Sequence, residues 1–275
     1  MEANKSKGIL AEKVALVTGA AGAIGYAVCK KLLENGCRVA ASDIAGEKLD
    51  GFIEDMEKIS AEGVIGVGLD VTDAESVSNG FERVTQKWGK IDIVVVNAGI
   101  ALVSTLKDMD IEAFRRVEKV NIEGTLLTLA QAGRVFEKQG TGGDIIIMST
   151  KNVPSPSAGF GAYSATKAAA AQLGRIASIE FAADDVRVNM VAPDAVFAEG
   201  QYKSGLWEQV GAERMKVRGM DKEQLHEYYR NRNLLKAKVT GSDVANAVLF
   251  FATRQTPTTG ATIPVDGGLP DATPR

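Results

Sequence analysis

Short apolar runs alternate with amphipathic segments along most of the 275 residues. Residues 1–12 read as a loose polar lead-in. The run 13–18 (Lys-Val-Ala-Leu-Val-Thr) is of strand type and breaks into Gly19-Ala20-Ala21-Gly22-Ala23-Ile24-Gly25. A helical pattern follows to about Asn35-Gly36, and 38–43 reads as a second strand. Strand, glycine turn, helix and strand within about 30 residues make a βαβ unit, because a parallel pair needs that crossover. The rhythm repeats: helix 46–61, strand 64–69, helix 73–88, strand 91–97, a long helix 109–138, strand 144–148, helix 161–183, strand 186–191. It resumes later with helix 242–253 and strand 261–265. This alternation predicts a single α/β domain over 1–275, a doubly wound parallel sheet with helices on both faces.

The stretch 193–238 breaks the rhythm. It is polar, sets Trp207, Tyr228 and Tyr229 among charges, and has the pattern of two helices. An interruption of this length in a regular fold predicts a substrate lid at about 194–238; the bland alternative is a decorative insertion.

Composition narrows the partners. Hydrophobic content of 45% with 24% charged residues is that of an ordinary soluble protein. A net charge of -3 gives no reason to expect nucleic acid or an anionic membrane. The opening residues have no long apolar run, and no later stretch is long and apolar enough to span a bilayer. Cys29 and Cys37 match no metal or redox spacing, which predicts reduced thiols in a cytoplasmic protein. With His226 the single histidine, a zinc site is not expected.

Two places carry chemistry. Gly19, Gly22 and Gly25 follow the first strand and open a helix. Glycines let the backbone approach a pyrophosphate, and the helix N-terminus offers free N–H groups to the anion. Asp43 ends the second strand, where a carboxylate accepts from ribose hydroxyls and repels a 2′-phosphate, so the expected cofactor is NAD. Asp70 ends the third strand and is a candidate for the adenine; Asn97-Ala98-Gly99 ends the fourth with small residues that let the backbone pass close to a cofactor. The second place is Tyr163-Ser164-Ala165-Thr166-Lys167, with Ser149-Thr150 upstream. On a helix, Tyr163 and Lys167 share a face. An ammonium nearby lowers a phenol's pKa and fits it to exchange a proton with an alcohol. A hydroxyl from Ser149 or Thr150 would polarise the same oxygen, and only one of these strand neighbours can face it.

These residues resemble the short-chain dehydrogenase/reductase family. Thr18 through Gly25 matches T-G-x-x-x-G-x-G, Asn97-Ala98-Gly99 matches N-A-G, Asn121 matches the family's helix asparagine, and Tyr163 through Lys167 matches Y-x-x-x-K. The match runs from about residue 10 to 270 with every motif in the family's order. The resemblance implies a Rossmann-like fold, one nicotinamide cofactor and a homo-oligomer, tetramer or dimer. It implies Tyr163 as acid/base, Lys167 on the nicotinamide ribose, and Asn121 holding a water that links Lys167 to solvent. It adds Ala21, Ile24, Val71, Pro193 and Val196 to the cofactor contacts.

Three departures narrow it. The family's serine, 13 residues before the tyrosine, is Thr150 here; spacing favours Thr150 over Ser149. Its Pro-Gly after the sixth strand is Pro193-Asp194, which makes Asp194 a candidate substrate-contacting acid. The lid is long and mixes aromatic with basic residues. Thr150-Lys151-Asn152, residues 192–196, residues 228–235 and the C-terminal tail resemble the dehydrogenase half of bifunctional rhamnulose-phosphate aldolase/dehydrogenases, and less closely sorbitol-6-phosphate dehydrogenases. That likeness implies a small, hydroxyl-rich substrate. Lys151 and Asn152 read either as contacts to substrate hydroxyls or an anion, or as plain loop residues; His226 reads as lid packing more than as a substrate contact. The expectation is an NAD-dependent oxidoreductase of a small polar alcohol or carbonyl. The alternatives are an NADP-dependent reductase of a larger apolar carbonyl and a non-catalytic nucleotide sensor. A dehalogenase-like lyase is disfavoured, because such relatives lose the glycines and replace the lysine.

Overall fold

All five residues of β1 (Val14–Thr18) are buried, and so are all four of β4 (Ile93–Val96). Strands buried on both faces read as continuous apolar runs, which is why neither alternates in sequence. Around them stand β2 (Arg38–Asp43), β3 (Val64–Gly68), β5 (Gly143–Met148), β6 (Val186–Pro193) and β7 (Thr262–Val265). The structure is a computed structural model and describes residues 8–198, 202, 211, 212, 214, 215 and 219–270. The seven strands form one sheet in the order β3-β2-β1-β4-β5-β6-β7, every pair parallel.

Two cores lie on opposite faces. Ala15, Val17, Val39, Ile93 and Ile146 meet α1 (Ala23–Glu34), α2 (Glu47–Ser60) and α8 (Gly241–Ala252) through Val28, Phe52 and Val248. Val14, Leu16, Val94, Ile145 and Ile147 meet α3 (Ala74–Trp88) and α5 (Gly124–Gln139) through Phe81 and Phe136, and α6 (Gly161–Glu180) through Ala171 and Ala177. Successive residues of β1 therefore serve opposite cores, as the two-residue period of a strand requires. Strand order reverses at β1/β4, and ligands of such sheets bind in the crevice beyond the strand ends at that point.

The structure differs from the sequence expectation in three ways. The lead-in is not loose where it is described: Leu10 is buried, and its N–H donates to the Asn35 carbonyl at 2.9 Å. The helix expected at 109–138 is two, α4 (Ile111–Glu118) and α5, joined by a π turn at Lys119–Glu123. Such turns open the helical ladder and concentrate at functional sites. In the stretch expected as a lid, α7 (Lys222–Asn231) starts at a reciprocal Asp221/Gln224 cap and buries Leu225 and Tyr229 against Phe197. The other expected helix appears as helical backbone at Gly211, Ala212, Arg214 and Met215; Trp207 lies outside the described residues.

Candidate active site

The glycine turn is shaped by backbone contacts. Gly19 has φ +63°, and a Cβ there would stand 2.8 Å from Ala98 Cα. A Cβ on Gly25 would stand 2.4 Å from the Gly19 carbonyl oxygen. Both positions exclude a side chain because two chain segments touch. Gly22 differs: a Cβ there would meet only the Gly19 oxygen, at 3.5 Å. Packing does not demand that glycine, whereas a ligand resting on the turn would. Gly22 caps α1 without a side-chain hydrogen bond, and the first turn holds no acid. The free N–H groups and positive dipole end are thus left for an anion, so the turn fits a dinucleotide's pyrophosphate.

Thr18 and Asn97 brace this end. The Thr18 hydroxyl accepts from Asn97 N–H at 3.0 Å and Ala98 N–H at 3.1 Å. The Asn97 amide donates to the carbonyls of Thr18 and Gly19, both at 2.9 Å. Asp43 Oδ2 accepts from Ala21 N–H at 3.0 Å, which fixes the carboxylate at the lip of the cleft. Asp70 accepts from the backbone and hydroxyl of Thr72, each at 2.8 Å. Gly19, Gly22, Ile24, Gly25, Asp43, Asp70, Val71, Asn97, Ala98, Gly99, Pro193 and Val196 all line one cleft with Tyr163 and Lys167. Ala21 does not line it; it is buried, with its N–H on Asp43. Lys48, five residues beyond Asp43, stands at the same end and was not foreseen. It bears on the Asp43 argument because an ammonium there is the charge that a 2′-phosphate would need.

At the chemical centre, Tyr163 and Lys167 lie one turn apart on α6. Thr150 lines the cleft beside Tyr163, and a hydrogen-bonding influence of its hydroxyl favours the phenolate. Burial raises the tyrosine's pKa and that influence opposes the rise. Lys167 Nζ donates to the Met148 carbonyl at 2.8 Å, and a Cβ on Gly99 would lie 3.1 Å from the same nitrogen. Burial pulls the Lys167 pKa down to about 8. The sequence expectation was a tyrosine lowered by its lysine. In the structure the net direction is upward, because desolvation is the largest effect and the ammonium is engaged by a backbone carbonyl. Ser149 also lines the cleft, with its N–H in the strand ladder to Val191 O at 2.8 Å.

Asn121 sits in the π turn, fully buried. Its amide donates to Ile100 O at 2.9 Å and to Thr166 Oγ1 at 3.0 Å, while its Oδ1 accepts from Ile100 N–H at 2.9 Å. The side chain clamps the loop after β4 onto α6, with both of its amide N–H groups engaged.

The substrate end draws on distant segments. Asp194, the candidate substrate-contacting acid, lines the cleft. Its carboxylate accepts from Arg232 through two nitrogens of one guanidinium edge, Nε at 3.1 Å and a second, shorter contact from Nη2. Asp194 therefore holds an arginine of the stretch after α7 at the cleft wall. The Arg232 guanidinium lies 4.3 Å from the Tyr229 ring centre. Arg214 is buried, lies 4.4 Å from the Phe160 ring centre, and reaches within 5.9 Å of Tyr229. Lys151 Nζ donates to Ser157 Oγ at 2.9 Å. Asn152 is buried at the cleft wall, and its Oδ1 has no hydrogen-bond partner. His226 stacks edge-on against Phe197 at 5.0 Å and does not line the cleft. Arg214 and Arg232 escaped the sequence reading because nothing in a run of lid charges marks which ones turn inward. No metal-binding cluster occurs among the described residues.

Residues 13–209 match the family model described as short chain dehydrogenase. A Bacillus subtilis protein named uncharacterized oxidoreductase YuxG is 34% identical over 96% of this chain, which spans only 38% of that relative's length. The L-2,3-butanediol dehydrogenase of Corynebacterium glutamicum is 32% identical, over 94% of this chain and 98% of its own. Among solved structures, a short-chain type dehydrogenase/reductase from Mycobacterium marinum superimposes with a TM-score of 0.80 at 26% identity, covering 95% of this chain and 96% of that one. The chain belongs to the short chain dehydrogenase family, whose members are oxidoreductases that use nicotinamide cofactors.

Proposed function

We propose that the protein oxidises a secondary alcohol, or reduces the matching carbonyl, of a small polar substrate with NAD. The observation that carries this reading is that Thr150, Tyr163 and Lys167 line the same cleft as the Gly19, Gly22 and Gly25 turn. In the oxidising direction Thr150 holds the substrate oxygen and Tyr163, as phenolate, takes its proton. Bound nicotinamide supplies the acceptor for the hydride that leaves the carbinol carbon. Lys167 holds the ribose and, once its ammonium faces the phenol, stabilises the phenolate. Asn121 anchors a water that links Lys167 to solvent, through the acceptor capacity its Oδ1 keeps beside the Ile100 N–H.

Asp43 supports NAD over NADP. Residues 194–238 act as the lid, a reading supported by Arg232, Tyr229 and Arg214 reaching the cleft from that stretch. A sugar-catabolic role in the cytoplasm, as in rhamnulose-phosphate aldolase/dehydrogenases, follows the sequence likeness. Exposed Leu126, Ile176 and Ile179 on α5 and α6 support a homo-oligomer, tetramer or dimer.

The test is cofactor reduction, followed by near-ultraviolet absorbance, against sugars, polyols, sugar phosphates, small diols and steroids, each with NAD and NADP. Turnover of small polar alcohols with NAD is expected. Preference for NADP would refute the Asp43 argument. Turnover of steroids alone would refute the substrate class, and tight NAD binding with no turnover of any compound would favour the nucleotide sensor.

A further inference from the structure

Among the described residues, Asn152 and Ser164 each bury a side-chain oxygen that has no hydrogen-bond partner. Ser164 stands on α6 and does not line the cleft, whereas Asn152 lines it together with Thr150 and Tyr163. Asn152 is only 7% exposed, so little water competes for its amide. A buried acceptor left unpaired costs stability, and in a cleft wall it calls for a donor brought by a ligand. An amide oxygen only accepts, so the group that completes it carries an O–H or N–H.

The turn after β5 fixes where that acceptor stands. Asn152 N–H donates to Thr150 Oγ1 at 3.3 Å, and Val153 N–H donates to the Thr150 carbonyl at 3.2 Å. These bonds fold residues 150–153 into one tight turn, in which the threonine hydroxyl serves its own loop. Ser155 N–H donates to the Lys151 carbonyl at 3.0 Å, and Lys151 Nζ donates to Ser155 O at 3.2 Å and Ser157 Oγ at 2.9 Å. The loop is thus pinned from within, and an amide carried on it loses little freedom when a ligand arrives. Thr150 Oγ1 accepts from the Asn152 N–H and keeps its proton for a substrate oxygen. Two side chains across one turn therefore take opposite roles, Thr150 donating and Asn152 accepting. That suits two oxygens on adjacent carbons, the reacting one and a hydroxyl beside it. Charge is not what this wall asks for, since Arg232 is spent on Asp194.

We infer that Asn152 is a specificity-determining residue and that the substrate is a vicinal diol or the matching α-hydroxy carbonyl: the reacting oxygen meets Thr150 and Tyr163, and the hydroxyl on the neighbouring carbon donates to Asn152 Oδ1. This rests on the oxidoreductase reading above and names the substrate class of that same site.

The experiment uses the full chain saturated with NAD and three alcohols on one skeleton: 1,2-cyclohexanediol as both isomers, its monomethyl ether, and cyclohexanol. Propane-1,2-diol, 1-methoxy-2-propanol and 2-propanol repeat the series without a ring. The ether keeps the second oxygen and removes only its proton. In at least one series a diol should exceed both other members in kcat/KM by about tenfold or more, because a wall built to bond a hydroxyl rejects the analogue that lacks it. Asn152→Leu should bring the diol-to-alcohol ratio close to one, mainly through the KM of the diol, and Asn152→Asp, which keeps an acceptor, should retain part of it. An ether or plain alcohol turned over as well as its diol by the native chain would overturn the inference and leave the oxidoreductase standing, and that comparison needs no variant to fold. A diol preference that survives in Asn152→Leu would overturn it too. If no alcohol turns over, calorimetry with the cyclohexanediols on the NAD-saturated protein decides the matter. Saturable binding that Asn152→Leu weakens about tenfold would uphold the subsite while the reaction class falls; no binding would overturn the subsite as well.

Discussion

The two ends of the cleft are built by different means. The nucleotide end is a property of the backbone: a Cβ on Gly19 or Gly25 would stand 2.8 or 2.4 Å from other main-chain atoms, and Thr18 and Asn97 tie the ends of β1 and β4 together. The substrate end is a property of side chains, with Lys151 after β5, Asp194 after β6, and Arg214 and Arg232 from the stretch between β6 and α8. A site made from backbone tolerates few sequences, so its motif is dense and local. A site made from side chains at four separate places tolerates many, and its members carry no common spacing. Substitutions at the first end should therefore disturb stability and cofactor together, and those at the second should disturb substrate alone.

The largest effect belongs between the two ends. Tyr163→Phe should lower turnover by about a hundred- to ten-thousandfold, the range for general acid–base groups, with NAD binding retained. Calorimetry beside initial rates measures both, and near-normal turnover would remove Tyr163 from proton transfer. The pH profile of the native chain sharpens this. Oxidation needs the deprotonated phenol, and burial raises its pKa. The oxidation rate should thus climb with rising pH and be lost as pH falls. Next, Thr150→Ala removes the hydroxyl beside Tyr163 in the cleft and should cost about a hundredfold, as loss of one oxyanion donor does, while Ser149→Ala costs less. The reverse order would move the role to Ser149.

Gly25→Ala drives a Cβ into the Gly19 and Ala20 carbonyls. It should destabilise the fold by about 1–3 kcal/mol, read from the denaturant midpoint, and weaken NAD binding with it. A lowered midpoint with unchanged NAD affinity would break the link between backbone and cofactor at this end. The smallest effect is expected at the lip: Asp43→Ala should raise relative use of NADP by about tenfold, as removal of one charge contact near solvent allows. An unchanged ratio would make Asp43 a brace for Ala21 and no more, with Lys48 free to offset its charge.

Most of the fold was legible. The strand at 38–43 is β2 residue for residue, and the other elements fall within a few residues of their expected limits. Apolar runs and helical periods report local burial, and burial is what the sheet enforces. The π turn was not legible, although Asn121 was marked as the family's helix asparagine. Its cause is an amide satisfied by Ile100 and Thr166, residues far off in the chain. The loose lead-in was misread for the same reason: Leu10 is buried only because the Asn35–Gly36 turn lies against it.

The sequence by itself determined the alternation of strands and helices behind the doubly wound class, the glycine turn and the one-turn spacing of Tyr163 and Lys167. Each depends on residues within a few turns or a single strand, where covalent geometry and periodicity limit the outcomes. Only the tertiary structure decided that Thr150 stands beside Tyr163 in the cleft, that burial raises the tyrosine and lowers the lysine, and that Asp194 serves Arg232. Those outcomes depend on which charges share a buried wall. Desolvation and pairing act through space, and no local pattern in the chain records them.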